Sequence, residues 1–478
     1  MYVYEFLAIG LYFTLLLCVG LFSYKKQMSA ADFLIGGRSL NYWLTALAAH
    51  ASDMSNWLFT AYPALVLVGG MSGSWTACGL ILGMFLNWQW IAPKIRLATE
   101  RFSSLTFSSF FESRFADTSG IIRVFTACVL IFFYTVYLAS ALVGLGLFLE
   151  TLFQLKYTLG IVIGIVIVIP YVFIGGYVTL AWIDLFQGLF LMGVIIGVPL
   201  YVLPQVGWFS GIMESAHAAG ISLSFLPDFT DKTQVYALLT AVAWGLGYFG
   251  QPHIITKFMG IRRVEEMPKS KYIGMCWMVL SLGAATLVGL VGIAFFGGGL
   301  ANHELVFVEM VRRVFHPFIV GIALCAVIAA TINAMGSQVL VLVSSLAEDF
   351  YRKMFRKQAS SKEVLFVSRV GIFVVAVIAF CIAYYKISTI YALVFYAWSG
   401  LGASFGPLLI LSLYTNRVNK YGACAGVLAG GGTVAIWGGV EPLLGFQVPA
   451  LIAGFVAGFV LIVLVSQITK GRGVQPLQ

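Results

Sequence analysis

Apolar residues run along this chain in blocks of about 20, each long enough to cross a bilayer as a helix, and short clusters of charge part the blocks. The pattern predicts thirteen membrane-spanning helices near 2–24, 41–69, 73–93, 121–150, 157–176, 179–203, 233–257, 272–298, 315–347, 364–385, 388–414, 420–440 and 447–468. Two of these spans are irregular. The second carries the small and polar run Ala48-Ala49-His50-Ala51-Ser52-Asp53-Met54-Ser55-Asn56, a poor surface to show to lipid. The seventh carries Trp244-Gly245-Leu246-Gly247-Tyr248-Phe249-Gly250-Gln251-Pro252-His253, where three glycines and a proline weaken and interrupt a helix.

Composition removes the soluble classes. Of 478 residues 60% are hydrophobic and only 10% charged, against roughly 25% charged in soluble domains. The net charge of +9 does not point to nucleic acid, because the basic residues sit in short loops between spans, where they report topology. With the N-terminus outside and the C-terminus in the cytoplasm, 23 of the 28 Lys and Arg fall on the inner side, leaving Lys156, Lys232, Arg312, Arg313 and Lys386 outside. The seven cysteines lie in apolar stretches without metal-ligand spacing and are expected to be packing residues. The first span lacks a basic segment before it and a cleavage signal after it, so it is expected to be retained rather than removed.

A charge at membrane depth is costly, on the order of 3 kcal/mol on insertion scales, so Asp53 is the first functional candidate. Irregular backbone at that depth is tolerated only where it is buried or lines a cavity, which makes both interrupted spans candidates for a site. They are five spans apart, the spacing of an inverted repeat of five helices with a midplane site between its copies. The chain then reads as one transporter domain over 1–478: an extra first helix and loop (1–40), repeat 1 (41–203), repeat 2 (233–414), and two accessory helices with a short tail (415–478). Arg38 and Asp184 are candidates for coupling or gating. His50 and His253 read as buried, hydrogen-bonded histidines. Gly245, Gly247 and Gly250 spell GxGxxG without the strand and βαβ unit that a dinucleotide site requires.

At Gly36-Gly37-Arg38-Ser39-Leu40, Ala51-Ser52-Asp53-Met54-Ser55 and Gly245 to His253 the sequence resembles the sodium:solute symporters, in particular their proline-carrying members. The likeness continues through Tyr137-Leu138-Ala139-Ser140, Phe173-Ile174-Gly175-Gly176, Ser344 to Asp349 and Tyr396 to Gly400. It implies an all-α polytopic membrane protein of the LeuT type, placed in a bacterial inner membrane, that imports proline or a near relative with sodium. The substrate pocket it implies falls on Tyr137, Trp244, Tyr248 and Pro252, with Ser55 and Gln251 beside them. Aromatic walls suit an imino-acid ring, and freed helix ends suit its carboxylate and imino group. The sodium site it implies takes backbone carbonyls of Ala51, Met54 and Ala330 plus two hydroxyls.

Here the chain departs from the pattern. Asn333 and Ala334 stand where the hydroxyl pair is expected, and Asn56 stands where glycine is expected. Sodium is a hard cation that wants oxygen; Asn333 offers an amide oxygen and Ala334 nothing. Sodium binding is therefore re-ligated, weakened or replaced, and a proton-coupled or ion-independent carrier of the same substrate class is the alternative. A sensory membrane module is the rival from another class, although the tail after Lys470 is too short for a kinase. An intramembrane enzyme is disfavoured by the lack of HExxH, GxSxG or paired carboxylates. No partner protein beyond the lipid bilayer is expected.

Overall fold

The computed structural model describes residues 3–23, 30–356, 358–444 and 447–469. Lys25, Lys26 and the tail from Lys470 to Gln478 lie outside the described residues, as do the side chains of the Phe173 to Gly176 motif. The described chain is helical apart from its connecting turns and loops, and the strand-like pairing found in it is an isolated parallel bridge between Leu40 and Ile261. In order come α1 (Val3–Ser23), α2 (Ala30–Ile35), α3 (Tyr42–Asp53), α4 (Ala61–Gly69), α5 (Trp75–Leu86), α6 (Ala92–Arg101), α7 (Phe107–Arg114), α8 (Ile121–Phe153), α9 (Tyr157–Val202) and α10 (Trp208–Ala218). The second half holds α11 (Lys232–Gly247), α12 (Pro252–Met259), α13 (Met267–Phe296), α14 (Val306–Val314), α15 (Pro317–Ser344), α16 (Ser361–Tyr384), α17 (Ile390–Tyr414), α18 (Lys420–Val440) and α19 (Ala450–Thr469).

Among the described residues ten helical stretches are long and apolar enough to cross a membrane. α9 is helical from Tyr157 to Val202, yet Tyr157 bonds to the Ala383 carbonyl, Tyr177 to the Thr256 carbonyl at the basic end, and Tyr201 packs on Phe315 back at the opposite end. Its two halves therefore run in opposite directions, as the two blocks at 157–176 and 179–203 predict.

Burial separates core from rim. α15 and α17 are enclosed over most of their length, whereas α1, α16, α18 and α19 keep broad apolar faces outward, as lipid-facing helices do. α1 packs on α9 and α15, and α18 and α19 pack on each other and on α17. The interior is left to α3, α5, α8, α11, α12, α13, α15 and α17. Where they meet, glycine lets backbones touch: a Cβ on Gly83 would stand 2.2 Å from the Gly245 carbonyl oxygen, and one on Gly79 2.8 Å from that of Ala241. α5 and α11 thus lie against each other without a cushion of side chains.

On the face that carries the basic loops, polar contacts join distant segments. Leu40 N–H donates to the Gly260 carbonyl (3.1 Å) and Arg262 N–H to that of Leu40 (2.8 Å), while Arg96 Nε reaches the Ile261 carbonyl at 2.7 Å. Arg114 caps the end of α17 through the carbonyls of Ser412 (2.7 Å) and Thr415 (3.0 Å).

Candidate functional site

The first break follows a regular helix. Asn41 caps α3 by accepting the Leu44 N–H on its side chain at 2.9 Å, and an alanine-rich run carries the helix to Asp53. Met54 then leaves helical geometry at ψ +87°, and Ser55 is extended. The Ser55 N–H, which would have closed onto the Ala51 carbonyl, bonds to that of Asp53 instead at 3.0 Å. Likewise the Leu58 N–H turns to Ser55 at 3.1 Å, so Met54 also loses its helical donor. Two carbonyls, Ala51 and Met54, are freed at membrane depth.

The second break draws on only part of the glycine and proline pattern that predicted it. α11 winds through Gly245 and Gly247, and the turn at Tyr248–Gly250 is still helical; the chain extends only at Gln251, before Pro252 opens α12. The proline makes the break, since it disfavours helix in the residue before it and offers no N–H. The glycines provide room instead: a Cβ on Gly247 would lie 1.8 Å from Trp398 Nε1, and one on Gly250 2.6 Å from the Leu401 carbonyl. Side chains repair what the break undoes. Asn87 Nδ2 donates to the Tyr248 carbonyl (3.1 Å), the His253 N–H donates to the Tyr134 hydroxyl (3.0 Å), and Gln251 Nε2 donates to the Trp398 carbonyl (3.0 Å).

The Tyr248 hydroxyl joins the breaks by donating to Asp53 Oδ2, across 195 positions of sequence. Buried polar atoms without hydrogen-bond partners include Asp53 Oδ1, Asn56 Nδ2 and Gln251 Oε1 on the two breaks, and Tyr137 Oη, Ser399 Oγ and both amide atoms of Asn333 on α8, α17 and α15. Such atoms cost about 1–3 kcal/mol each when unsatisfied, so those on the two breaks point to polar guests. Aromatic rings wall the same region: Trp244 stacks on Trp57 at 6.4 Å and packs on Phe395 at 4.9 Å, and Tyr248 meets Trp398 edge-on at 5.1 Å. Asn333 is on α15, which packs against α3 and the turn after the first break. Ala330 precedes it by three residues in the same helix.

The other residues singled out from sequence take separate places. Ser55 Oγ donates to Asn56 Oδ1 (3.3 Å), and the Asn56 amide fits where Gly144 of α8 has no Cβ. Pro252 and Gln251 belong to the second break. His50 accepts the Trp88 indole N–H at 3.2 Å, and His253 engages Tyr134; both are fully enclosed. Asp184 does not reach solvent: it is 1% exposed and pairs with Lys257 of α12 at 2.9 Å. Arg38 holds the end of α12 through the Met259 carbonyl (2.8 Å), with Thr99 (3.2 Å) and the Ser104 carbonyl (3.2 Å) alongside. Burial, then neighbouring Arg96, pulls the Arg38 guanidinium down to about 10, which leaves it cationic at neutral pH.

Sequence reasoning missed Trp57, Asn87, Tyr134, Tyr391 and Trp398. Tyr134 stands one helical turn before Tyr137, and Asn87-Trp88-Gln89-Trp90 is a polar dip in an apolar span; both signals were present. On the face opposite the basic loops a vestibule of about 500 Å³ descends to Tyr391. Beneath it Trp57, Tyr62, Trp244 and Tyr391 leave only about 10 Å³, the room of a single water at most. Toward the basic face a cavity of about 20 Å³, bordered by His253, Lys257 and Ser337, has room for one water. At the basic face Asp184 and Lys257 are enclosed, at 1% and 2% exposure.

A family model described as the sodium:solute symporter family matches residues 33–430. The high-affinity proline transporter PutP of Bacillus subtilis (strain 168) is 38% identical over 464 residues, covering 95% of this chain and 96% of its own. The sodium/proline symporter of Escherichia coli (strain K12) is 36% identical over 463 residues, covering 95% of this chain and 91% of its own. Among solved structures, a Na+-coupled sialic acid symporter in a substrate-bound, outward-open state aligns with a TM-score of 0.82 over 99% of both chains at 16% identity, which shows a shared fold.

Proposed function

From the premise that this chain belongs to the sodium:solute symporter family, we propose that it imports proline across a bacterial inner membrane, driven by sodium moving down its gradient. The observation that carries the reading is the pair of broken helices joined by the Asp53–Tyr248 bond, with unpartnered polar atoms on both breaks and aromatic rings beside them. Trp244, Tyr248 and Tyr137 wall the imino-acid ring, and Pro252 fixes the break that brings Tyr248 to Asp53. The polar ends of proline meet Ser55, Asn56 and Gln251. Sodium takes the freed carbonyls of Ala51 and Met54, the carbonyl of Ala330 and the Asn333 amide oxygen, with Asp53 supplying negative charge nearby. Oxygen-only donors of this kind suit a hard cation.

Thirteen spans, with the N-terminus outside and α9 crossing twice, put the basic loops in the cytoplasm and the vestibule outside. Residues 41–203 and 233–414 then act as two inverted repeats, with 1–40 and 415–478 around them. Arg38 and Asp184, which both hold α12 at its basic end, form the inner gate. One sodium falling through about 100 mV releases about 2.3 kcal/mol, and a tenfold gradient adds about 1.4 kcal/mol. Together they support accumulation of roughly 500-fold. A second reading, transport without sodium, is favoured by Ala334, whose side chain carries no oxygen.

Radiolabelled proline uptake into proteoliposomes decides between them. An inward sodium gradient should raise initial rate and accumulation. Uptake indifferent to sodium but driven by a pH jump would replace sodium with protons, and no uptake of proline would end the substrate assignment.

A further inference from the structure

Between α5 and α6 the chain makes a π-turn at Asn87–Ile91. Wide turns of this kind are rare, and they gather at functional sites because the extra residue re-aims the side chains around it. Here two consecutive side chains are aimed at different broken helices. Asn87 Nδ2 donates to the Tyr248 carbonyl (3.1 Å), and Trp88 Nε1 donates to His50 Nε2 (3.2 Å), one turn before Asp53. Asn87 and His50 are fully buried and Trp88 is 1% exposed.

The two bonds are not interchangeable with packing. The Tyr248 carbonyl would find its α-helical donor at position 252, where proline has none, so the Asn87 amide supplies the missing N–H. His50 accepts at Nε2, which places the proton of the neutral ring on Nδ1. The ring is held in that register: a Cβ on Gly274 would stand 2.4 Å from Nε2, and Trp88 and Trp277 lie at 6.2 and 5.9 Å. Trp88 also packs on Phe258 of α12 at 4.4 Å. A closed circuit results, from Asn87 to the Tyr248 backbone, from the Tyr248 phenol to Asp53, back along one turn of α3 to His50, and through Trp88 to Asn87.

We propose that this π-turn is the coupling element between the two broken helices, with Asn87 and Trp88 as positioning residues that make cation and substrate binding depend on each other. The proposal rests on the sodium/proline reading above. A shift of Tyr248 when substrate arrives moves Asp53 directly and moves His50 through the π-turn, so both ends of the last turn of α3 respond together. The unpadded contact of α5 with α11 prevents the π-turn from lagging behind. Coupling between two ligands is reciprocal and is measured as the factor by which one changes the affinity for the other.

The test is equilibrium binding of radiolabelled proline to purified wild type, Asn87→Ala and Trp88→Phe across a sodium series. In wild type, saturating sodium should lower the proline Kd by about 5- to 150-fold, the usual range of such coupling. Both variants should lose most of that factor while the Kd for proline without sodium stays within about twofold of wild type, the mark of lost coupling rather than lost binding. A purely structural role would lower yield or weaken binding equally at every sodium concentration. If Asn87→Ala does not accumulate, Trp88→Phe keeps a ring against Phe258 and removes the indole donor, and it decides alone. A folded variant with the wild-type factor overturns the proposal. A wild-type factor of one instead sinks sodium coupling, and proline exchange without any gradient becomes the readout: the variants must then exchange more slowly at unchanged Kd, and wild-type exchange rates overturn the π-turn's role.

Discussion

Asp53 is a carboxylate in the membrane interior with one oxygen bonded to the Tyr248 phenol and the other without a partner. Hydrogen bonds to a charged group are worth about 1.5–3 kcal/mol, so Asp53→Asn, which also removes the charge that attracts a cation, should cut sodium-driven proline uptake by about ten- to a hundredfold. Near wild-type initial rates at low sodium would contradict this. Asn333 and Ala334 set the complementary case: Asn333→Ser with Ala334→Thr keeps one oxygen and adds another. Half-saturation of uptake by sodium should then fall by about tenfold, equivalent to about 1.4 kcal/mol from one further oxygen ligand, and an unchanged value would detach α15 from the ion site. A lone intramembrane aspartate announces itself in sequence, and so does a missing hydroxyl pair. The partner of Asp53 does not, because Tyr248 lies 195 positions away and only the fold selects it from 22 tyrosines.

Helical segments raise a different question, since a glycine in a span can mean a bend or a close neighbour. In α11 it means a neighbour. A Cβ on Gly247 would meet the Trp398 indole at 1.8 Å, and that indole donates to the Trp244 carbonyl at 2.9 Å. Gly247→Ala should therefore expel Trp398, costing about 1–3 kcal/mol in overpacking and about 1 kcal/mol for the bond. A thermal melt should show clear destabilisation, with proline uptake lost, whereas Gly432→Ala, whose new methyl meets nothing within 4 Å, should melt as wild type does. Equal melting of the two variants would contradict the packing argument. The position of this break was legible in the sequence through Pro252, but the glycines credited beside it act by packing, because a one-dimensional pattern records where glycine stands and not what approaches it. The repair of the break was illegible for the same reason: Asn87, Tyr134 and Trp398 come from three other helices.

Across the molecule the closed state depends on what holds the basic ends of the helices together, and a deeply buried ion pair there is Asp184 with Lys257, 1% and 2% exposed. A buried pair adds little over an apolar replacement, yet removing one partner strands the other charge at a cost of about 3–5 kcal/mol. Asp184→Asn therefore penalises only the state in which Lys257 is enclosed, and 3 kcal/mol shifts a two-state equilibrium by more than about a hundredfold. The relieved state is one in which water reaches Lys257 from the basic face. With the native cysteines removed, a cysteine at Ser344, which borders the small cavity beside Lys257, should react with a membrane-impermeant maleimide far faster in Asp184→Asn than in the Asp184 background. The reagent must be applied from the basic side, which also tests the assigned orientation. Replacing both partners, Asp184→Leu with Lys257→Met, should restore slow labelling, since no charge is then left to solvate. Equal labelling in all three backgrounds would mean that the pair does not bear on closure, and that Arg38 with the Leu40–Ile261 bridge holds that end shut without it.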